Sequence, residues 1–185
     1  MFSHPGCLSL FSGDDFYLMS SGLLAQETTI GNSNPELNKF ITPQSVLEWM
    51  RNIVANRLAV AAPSWADYFS LYNSGTYNNQ WMIFDYNLFV PQQSPLAAET
   101  FLLVEQIPGT IKVTDVTSNL ENNRFFGSYN VAFDPEIRNL SGVDALAQLY
   151  GDAFSYANTP RGRIFQRDQS KISTCVYDLV VTCMI

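Results

Sequence analysis

The sequence has few of the residues that metal sites and thiol chemistry use. Its 185 residues include three cysteines, Cys7, Cys175 and Cys183, and a single histidine, His4. None of these residues has the close spacing of zinc ligands, so the sequence predicts no metal site, and we expect no cofactor. Because the number of cysteines is odd, at least one thiol has no disulfide partner within the chain.

Basic residues are also scarce. Lysine and arginine total 10 against 17 aspartates and glutamates, which gives a net charge of −7 and an isoelectric point near 4.5. This balance argues against nucleic acid as a partner, because phosphate binding requires a basic face. It suits an acidic compartment, where surface carboxylates lose part of their mutual repulsion.

Long apolar runs are missing as well. No stretch of about 18 apolar residues occurs, so the sequence predicts no membrane span. Residues 1–5 have neither the basic start nor the long apolar stretch of a signal peptide. A protein complete at this length would therefore be expected in the cytosol.

The residues that are abundant are those of a globular core. Hydrophobic residues make up 46% of the chain and charged residues 15%, with 13 Phe, 9 Tyr and 3 Trp. This composition excludes a disordered chain, and the length allows one domain with a substantial interior. No internal repeat or low-complexity segment is present.

Apolar patterning predicts both strands and helices. Strands are predicted over residues 16–19, 23–30, 81–90, 101–107 and 110–116, with tight turns at 20–22 and 108–109 that favour antiparallel neighbours. Short helices are predicted over 64–72 and 143–150. Residues 31–39 and 117–142 are predicted to be irregular, because they contain many Asn, Gly and Pro residues or scattered aromatic ones.

The clearest helix is predicted to begin at Thr42 and to end near residues 61–63. Thr42 is a suitable N-cap, and Pro43 suits the first helical position. Apolar residues recur at helical spacing and form one stripe of the kind that faces a core. The stripe consists of Val46, Leu47, Met50, Ile53, Val54 and Leu58.

One stretch, residues 73–86, combines a polar turn with a buried strand. Its first half contains small hydrogen-bonding side chains, and its second half is apolar and aromatic. Such a turn places amides and hydroxyls at the end of a sheet, where acyl-transfer enzymes need donors for a developing oxyanion. The alternative is a structural turn, in which Asn and Gly adopt left-handed conformations and the side chains satisfy local backbone groups.

Several strings in the chain resemble the phospholipase B-like family, in family order over about residues 9–170. The main matches are residues 73–81, Ser12-Gly13-Asp14-Asp15-Phe16-Tyr17, Glu27-Thr28-Thr29-Ile30-Gly31-Asn32, Ser45-Val46-Leu47-Glu48-Trp49, Asn56-Arg57-Leu58-Ala59, Glu105-Gln106-Ile107-Pro108-Gly109, Ser128-Tyr129-Asn130, Asn139-Leu140-Ser141-Gly142, Tyr150-Gly151, Phe154-Ser155-Tyr156, Pro160-Arg161 and residues 164–170.

This resemblance implies a lysosomal or secreted hydrolase of the N-terminal nucleophile class. The implied fold is α+β, with antiparallel sheets and flanking helices that form part of an α-β-β-α sandwich. The implied nucleophile is a cysteine freed by autocleavage, whose own α-amino group acts as the base. The implied substrates are phospholipid-like molecules cleaved at acyl-ester bonds during lipid degradation. An amidase that cleaves acyl-amide bonds is the alternative.

The chain departs from the family pattern at both ends. Nothing in it matches the nucleophile segment, and Cys7 lies where the family has a variable loop. After Ser170, residues 171–185 do not resemble the family, so we expect an incomplete domain over 1–170 and a divergent tail over 171–185. We therefore expect a truncated, inactive form whose partners include the remaining parts of the family domain. The alternative is a non-catalytic fragment that binds lipid or a partner chain.

The remaining site candidates are polar residues at strand ends. Asn78, Asn79 and Gln80 are candidates for holding the oxyanion or the substrate, and Thr28 and Thr29 for lining the same pocket from the neighbouring strand. The alternative is a buried polar network that fixes the strand ends.

Three further residue roles are predicted away from the strand ends. Asp85, within an apolar strand, is expected to pair with Arg57 or Arg161. The cluster of Arg161, Arg163 and Arg167 is expected to form surface ion pairs. Asn139 begins the only sequon whose pattern permits N-glycosylation.

Overall fold

A single antiparallel sheet organises the computed structural model, which describes residues 16–92 and 94–171. Its five strands lie side by side in chain order. They are β1 (Phe16–Leu18), β2 (Leu23–Thr29), β3 (Asn79–Asp85), β4 (Phe101–Ile107) and β5 (Thr110–Asp115). Helices flank the sheet, so the predicted α+β class with an antiparallel sheet and flanking helices is confirmed, and the arrangement is consistent with one layer of a sandwich.

All five predicted strands are present. The turn between β4 and β5 places Gly109 at φ +78, a conformation that favours glycine, and the two strands are antiparallel as expected. The prediction for β3 was wrong at both ends, because the strand begins at Asn79 and ends at Asp85. It ends there because Oδ1 of Asp85 accepts the backbone N–H of Asn87 at 2.9 Å and turns the chain.

The described residues also form six α-helices and three 3-10 helices. The α-helices are α1 (Glu48–Leu58), α2 (Ala62–Ser70), α3 (Thr117–Asn123), α4 (Pro135–Leu140), α5 (Val143–Tyr150) and α6 (Pro160–Asp168). The 3-10 helices span Pro35–Phe40, Gly151–Phe154 and Gln169–Lys171. The helices predicted at 64–72 and 143–150 are therefore confirmed, the first with a start two residues earlier.

The segments predicted to be irregular contain three of these helices, so that prediction was wrong. Within residues 31–39, the side chain of Asn34 caps the 3-10 helix by accepting the N–H of Glu36. Within residues 117–142, α3 and α4 both form, and Asp134 caps α4 by accepting two backbone N–H groups. In both capped cases an Asx residue before proline begins a helix instead of only breaking one.

The start of α1 also differs from the prediction, which placed it at Thr42. Residues 42–45 form a turn, and Val46 is held in an extended bridge, its N–H donating to the carbonyl oxygen of Tyr72 at 2.9 Å. The helix can begin only after that bridge, at Glu48. It ends at Leu58, and the Ala62–Pro63 pair begins α2 instead of ending α1.

The orientation of α1 is the opposite of the one predicted from its apolar stripe. Its buried residues are Glu48, Arg51, Asn52 and Ala55. Most of the predicted stripe faces solvent, with side-chain exposures of 46% for Val54 and 55% for Leu58. The inward face is set by hydrogen bonds of Arg51 and by small residues that allow close packing, not by the apolar pattern.

Two apolar cores lie on opposite sides of the sheet. On the side of α1 and α2, the rings of Trp65, Phe69 and Trp81 pack together, with Trp65 and Phe69 stacked at a centroid distance of 4.8 Å. On the other side, Met82 and Leu103 pack against α3 and the 125–133 segment. We call these the helix side and the loop side of the sheet.

The arginine cluster near the C-terminus lies on or next to α6. Arg163 pairs with Asp152 at 2.9 Å, and Arg167 pairs with Asp168 at 2.6 Å, so the predicted surface ion pairs are present for these two. Arg161 instead donates to the side-chain oxygen of Asn130. The predictions for the three cysteines, for His4 and for the tail after residue 171 concern residues outside the described part of the chain.

Candidate functional site

The polar half of the central stretch folds as a structured turn. Gly75 has φ +61, and an added Cβ there would lie 2.6 Å from Pro108, so the 73–78 turn packs directly on the β4–β5 turn. Nδ2 of Asn73 donates to the carbonyl oxygen of Ile107 at 2.8 Å, and its Oδ1 accepts the N–H of Gly75 at 3.0 Å. These contacts match the structural-turn interpretation of residues 73–76.

The five candidate residues meet at one end of the sheet but are divided between its two sides. Thr28 lies opposite Gln80, and Thr29 lies opposite Asn79, in the register of β2 and β3. Because successive strand residues point to opposite faces, Thr28 and Gln80 lie on the loop side, and Thr29 and Asn79 on the helix side. A single pocket wall containing all four side chains is therefore not formed.

On the helix side the candidates belong to a buried hydrogen-bond network. Arg51 donates to Oε1 of Gln106 at 2.6 Å, and Nε2 of Gln106 donates to Oδ1 of Asn79 at 2.9 Å. Nδ2 of Asn79 then donates to Oε2 of Glu27 at 2.8 Å. The hydroxyl of Tyr77 donates to Oε1 of Glu27 at 3.2 Å and lies 2.6 Å from the hydroxyl of Thr29. We call this set the helix-side network.

Arg51 is the charged centre of that network. It is 3% exposed, and besides Gln106 it donates to the carbonyl oxygens of Val46 and Phe69 at 3.1 and 2.5 Å. Burial lowers the pKa of its guanidinium to about 10, a shift that the nearby charge of Glu48 opposes. The network therefore ties α1 to the ends of β3 and β4.

On the loop side a second network surrounds Glu105. Nε2 of Gln80 donates to Oε1 of Glu105 at 2.7 Å, and Oε1 of Gln80 accepts from the hydroxyl of Ser128. The hydroxyl of Ser128 lies 2.5 Å from that of Thr28. Glu105 also accepts the backbone N–H groups of Phe133 and Asp134, each at 2.7 Å, which holds the start of α4. We call this set the loop-side network.

Burial is the main influence on Glu105. The side chain is 1% exposed, and this raises the pKa of its carboxyl above the ordinary value, although hydrogen bonds from Gln80, Asp134 and Phe133 act in the opposite direction. Burial also raises the pKa of Tyr129 and Tyr156, which pack against each other nearby with ring centroids 5.4 Å apart.

The hydroxyl protons of both threonines are used inside the networks. Ser128 gives its one proton to Gln80, so Thr28 must be the donor to Ser128. Tyr77 gives its proton to Glu27, so Thr29 must be the donor to Tyr77. Toward a ligand, Thr28 therefore offers oxygen lone pairs and not a proton.

Asn78 differs from its neighbours. Its backbone carbonyl accepts the N–H of Ile30 at 2.9 Å, but its side-chain oxygen is buried and has no partner among the described residues. Asn79 and Gln80 are at most 1% exposed and have their amides paired within the networks, whereas Asn78 is partly exposed. Of the three side-chain amides, that of Asn78 is the one with an atom left unpaired, its oxygen.

Asp85 has partners other than the arginines predicted for it. Its Oδ2 accepts the backbone N–H of Ala62 at 3.3 Å. Its Oδ1 accepts the backbone N–H and the side-chain N–H of Asn87, each at 2.9 Å. These bonds fix the turn after β3 and the start of α2. The prediction of an ion pair with Arg57 or Arg161 was wrong, because N–H groups of Ala62 and Asn87 supply the donors.

Sequence reasoning missed most of the residues that support the site. Arg51, Gln106, Glu105 and Ser128 were not predicted to contribute, because each acts through contacts far away in sequence, 100 residues in the case of Ser128 and Thr28. Two signals pointed to Glu105 and Gln106: they lie in a string that resembles the family, and they are polar residues within an otherwise apolar strand, a pattern that indicates buried pairing.

The fold and site define an α+β protein with two buried polar networks at one end of an antiparallel sheet. The family profile described as "Phospholipase B" matches residues 1–179 of this sequence. The chain belongs to the phospholipase B-like family. The predicted boundary between a domain and a tail near residue 170 stays a prediction.

Three relatives illustrate the match. "Putative phospholipase B-like 2" of Rattus norvegicus is 52% identical over 171 residues, and the protein of the same name in Homo sapiens is 50% identical; each alignment covers 92% of this chain and 29% of the relative. "Phospholipase B-like protein A" of Dictyostelium discoideum is 45% identical over 173 residues, covering 93% of this chain and 29% of the relative. The chain thus spans about three tenths of these relatives. None of the helices within residues 16–92 and 94–171 is long and apolar enough to cross a membrane.

Proposed function

We propose that this chain is the part of a phospholipase B-like hydrolase that forms one wall of the acyl-binding pocket. The observation that supports this role is the partly exposed side chain of Asn78, whose buried Oδ1 has no partner among the described residues and which lies at the sheet end between two networks that fix its neighbours. The substrate class is acyl esters of phospholipid-like molecules, cleaved in lipid degradation. The location that accompanies this role is the lysosome or the extracellular space.

The proposed roles of the five candidates follow from their hydrogen bonds. The unpaired Oδ1 of Asn78 can only accept, so the proposed donor to the substrate carbonyl, or to the oxyanion that forms from it, is Nδ2 of the same amide. Thr28 accepts from a donor on the ligand or on the nucleophile. Asn79 and Gln80 are positioning residues, because their amides pair with Glu27 and Glu105 and hold the strand end rigid. Thr29 lies on the helix side and belongs to the helix-side network, so it supports the strand end and does not line this wall.

The nucleophile in this proposal comes from polypeptide outside these 185 residues. Acyl transfer needs a nucleophile, a base and oxyanion donors in one geometry, and within residues 16–92 and 94–171 we assign only the last of these. Within the full family domain the proposed nucleophile is a cysteine with its own α-amino group as base. Flanking parts of the family domain are therefore the proposed partners.

The first prediction is that the isolated chain hydrolyses acyl esters and acyl amides of equal chain length no faster than background. Without the nucleophile no acyl-enzyme can form, whatever the oxyanion donors contribute. Product release should be followed for the wild type and Cys7→Ala in parallel. Turnover that disappears in Cys7→Ala would make Cys7 the nucleophile, and turnover that persists would require another site in the chain; either result contradicts the proposal.

Two alternatives are tested by comparing the isolated chain with a full-length family domain. An amidase is distinguished by a full-length family domain that cleaves the acyl amide in preference to the matched ester. A non-catalytic fragment that binds lipid or a partner chain is supported by the exposed apolar face of α1. Saturable lipid binding by the isolated chain, with no turnover in the full-length domain, would favour this alternative.

The second prediction concerns glycosylation at Asn139. This residue is exposed in the last turn of α4, so a glycan there would extend into solvent. Protein secreted from eukaryotic cells should lose mass on glycosidase treatment, and Asn139→Gln should remove that loss. An unchanged mass of the secreted wild type would contradict glycosylation at Asn139.

A further inference from the structure

A cavity of about 500 Å³ lies on the loop side of the sheet, toward the end opposite the two networks. Phe84 contributes to its wall and follows Gln80 on the same face of β3, four residues further along. At roughly 3.3 Å per residue, the cavity and the loop-side network are about 13 Å apart along the strand. The cavity is therefore a separate feature from the site described above.

The wall of this cavity is mainly apolar. Phe84, Phe89, Leu96 and Leu120 line it, and the rings of Phe84 and Phe89 meet edge to face with centroids 5.5 Å apart. Phe89 is 37% exposed, so part of this apolar wall is open to solvent. Its volume and its lining are typical of sites for small organic ligands.

Two opposite charges lie at the rim. Arg124 follows α3 and is exposed, and its guanidinium has no hydrogen-bond or ion-pair partner among residues 16–92 and 94–171. Glu121 lies three residues earlier, and its Oε1 accepts from the hydroxyl of Ser94 at 2.5 Å. The two charged side chains form no ion pair with each other, so each remains available to a ligand.

We propose that this cavity binds a single-chain amphiphile with a phosphocholine-type head. The alkyl chain lies against Phe84, Leu96 and Leu120, and the phosphate pairs with Arg124. The quaternary ammonium lies between Glu121 and the ring of Phe89, since carboxylates and aromatic faces both attract it. A purely anionic head would be repelled by Glu121, and a purely cationic head by Arg124. This binding requires no hydrolysis and goes beyond the function proposed above.

The test is a calorimetric titration of the 185-residue chain with monomeric dodecyl amphiphiles that differ only in the head. Dodecylphosphocholine should bind more tightly than dodecanoate, dodecyltrimethylammonium or dodecyl maltoside. Arg124→Gln should weaken dodecylphosphocholine binding by about tenfold or more, because it removes a charge-assisted contact. Glu121→Gln should weaken it too, while dodecanoate binds better.

Three controls locate the binding. Phe89→Ser should abolish the preference for dodecylphosphocholine over the other three amphiphiles, since it removes part of the apolar wall from an exposed position. Arg163→Gln, at an arginine outside the cavity, and Val54→Gln, on the exposed face of α1, should leave binding unchanged. Circular dichroism melting should confirm that each variant is folded.

The proposal is overturned by any of three results. The first is no binding by the wild type. The second is equal affinity for all four heads, which would indicate a nonspecific apolar surface. The third is unchanged dodecylphosphocholine binding in folded Arg124→Gln or Phe89→Ser. Hydrolytic activity is not measured in this experiment, so failure of the hydrolase proposal would leave its outcome unaffected.

Discussion

At the scale of single residues, three neighbours in sequence have three different environments. Asn79 is fixed on the helix side by Glu27 and Gln106, and Gln80 is fixed on the loop side by Glu105 and Ser128. Asn78, just before the strand, keeps an unpaired side-chain oxygen. Two amides whose oxygen and nitrogen atoms are both paired thus hold the strand end rigid beside one amide whose oxygen is unpaired.

The burial of Glu105 leads to a prediction about how the free energy of unfolding depends on pH. Burial raises the pKa of its carboxyl, so the folded state binds this proton more tightly than the unfolded state, whose value is near 4.5. Protonation therefore stabilises the fold: the contribution is fully present below about pH 4.5 and is lost as pH rises through the raised folded pKa. Relative to Glu105→Gln, the wild type should gain free energy of unfolding as pH falls from about 7 to about 5.

Urea unfolding of the two proteins at several pH values measures this difference. At neutral pH Glu105→Gln should cost about 1–3 kcal/mol, because a glutamine amide cannot accept all three N–H groups that the carboxylate accepts. Glu36→Gln, at an exposed glutamate, serves as the control and should leave the pH profile unchanged. A constant difference between wild type and Glu105→Gln across this range would contradict the assignment.

At the scale of elements, α1 shows what decides the orientation of a helix. Its apolar stripe predicts one face as buried, and the structure buries the other. Arg51 reaches the carbonyls of Val46 and Phe69 and the amide of Gln106 from that face, and Ala55 there allows close packing on α2 and the sheet. The hydrogen bonds of one buried cation outweigh the apolar pattern.

The orientation of α1 predicts that substitutions at two adjacent positions change the free energy of unfolding by different amounts. Val54→Gln, at a side chain 46% exposed, should change the free energy of unfolding by no more than about 0.5 kcal/mol. Ala55→Leu should cost about 1–3 kcal/mol, because Ala55 is fully buried and has no space for added methyl groups. Thermal melts of both variants measure this. If Val54→Gln were severely destabilising and Ala55→Leu were tolerated, the orientation of α1 predicted from its apolar stripe would be correct and the one described above wrong.

These elements also show the reach of sequence reasoning. The strands and the β4–β5 turn were predictable, because apolar and aromatic runs bounded by turn residues and a Pro-Gly pair are local signals. The start of α1 was not, since the bridge from Val46 to Tyr72 depends on a distant segment. For the site, the types of the candidate residues were predictable from the polar strand ends. Their division between two faces depended on where β3 begins, and that start was predicted two residues too late.

At the scale of the whole molecule, the exposed apolar surface is extensive. Large hydrophobic side chains on and around α1 and α2 are exposed, notably Leu47, Met50, Val54, Leu58, Val60, Leu71 and Tyr72. A monomeric soluble protein rarely exposes so large a contiguous patch. Since the chain spans about three tenths of its relatives, we expect other parts of the family domain to cover this face.

The corresponding prediction is that the isolated chain self-associates as its concentration rises. Replacing three apolar side chains by lysine, in a Met50→Lys, Val54→Lys, Leu58→Lys variant, should give a monomer, because the charges interrupt the patch. Light scattering coupled to size exclusion measures the mass. As a control with equal added charge, Asn122→Lys, Gln148→Lys, Asn158→Lys at exposed polar positions should still associate. A monomeric wild type that melts sharply and cooperatively would contradict the prediction.

The alternation of side chains along β3 makes its length more critical than any one of its residues. A substitution at Asn79 disturbs one network and leaves the other in place. A one-residue deletion or insertion within β3 would instead turn every following side chain to the opposite face. The residues of β3 that pack in the helix-side core would then face the loop side, and those of the loop-side core would face the helix side. We therefore expect β3 to tolerate single substitutions better than a change in the number of its residues.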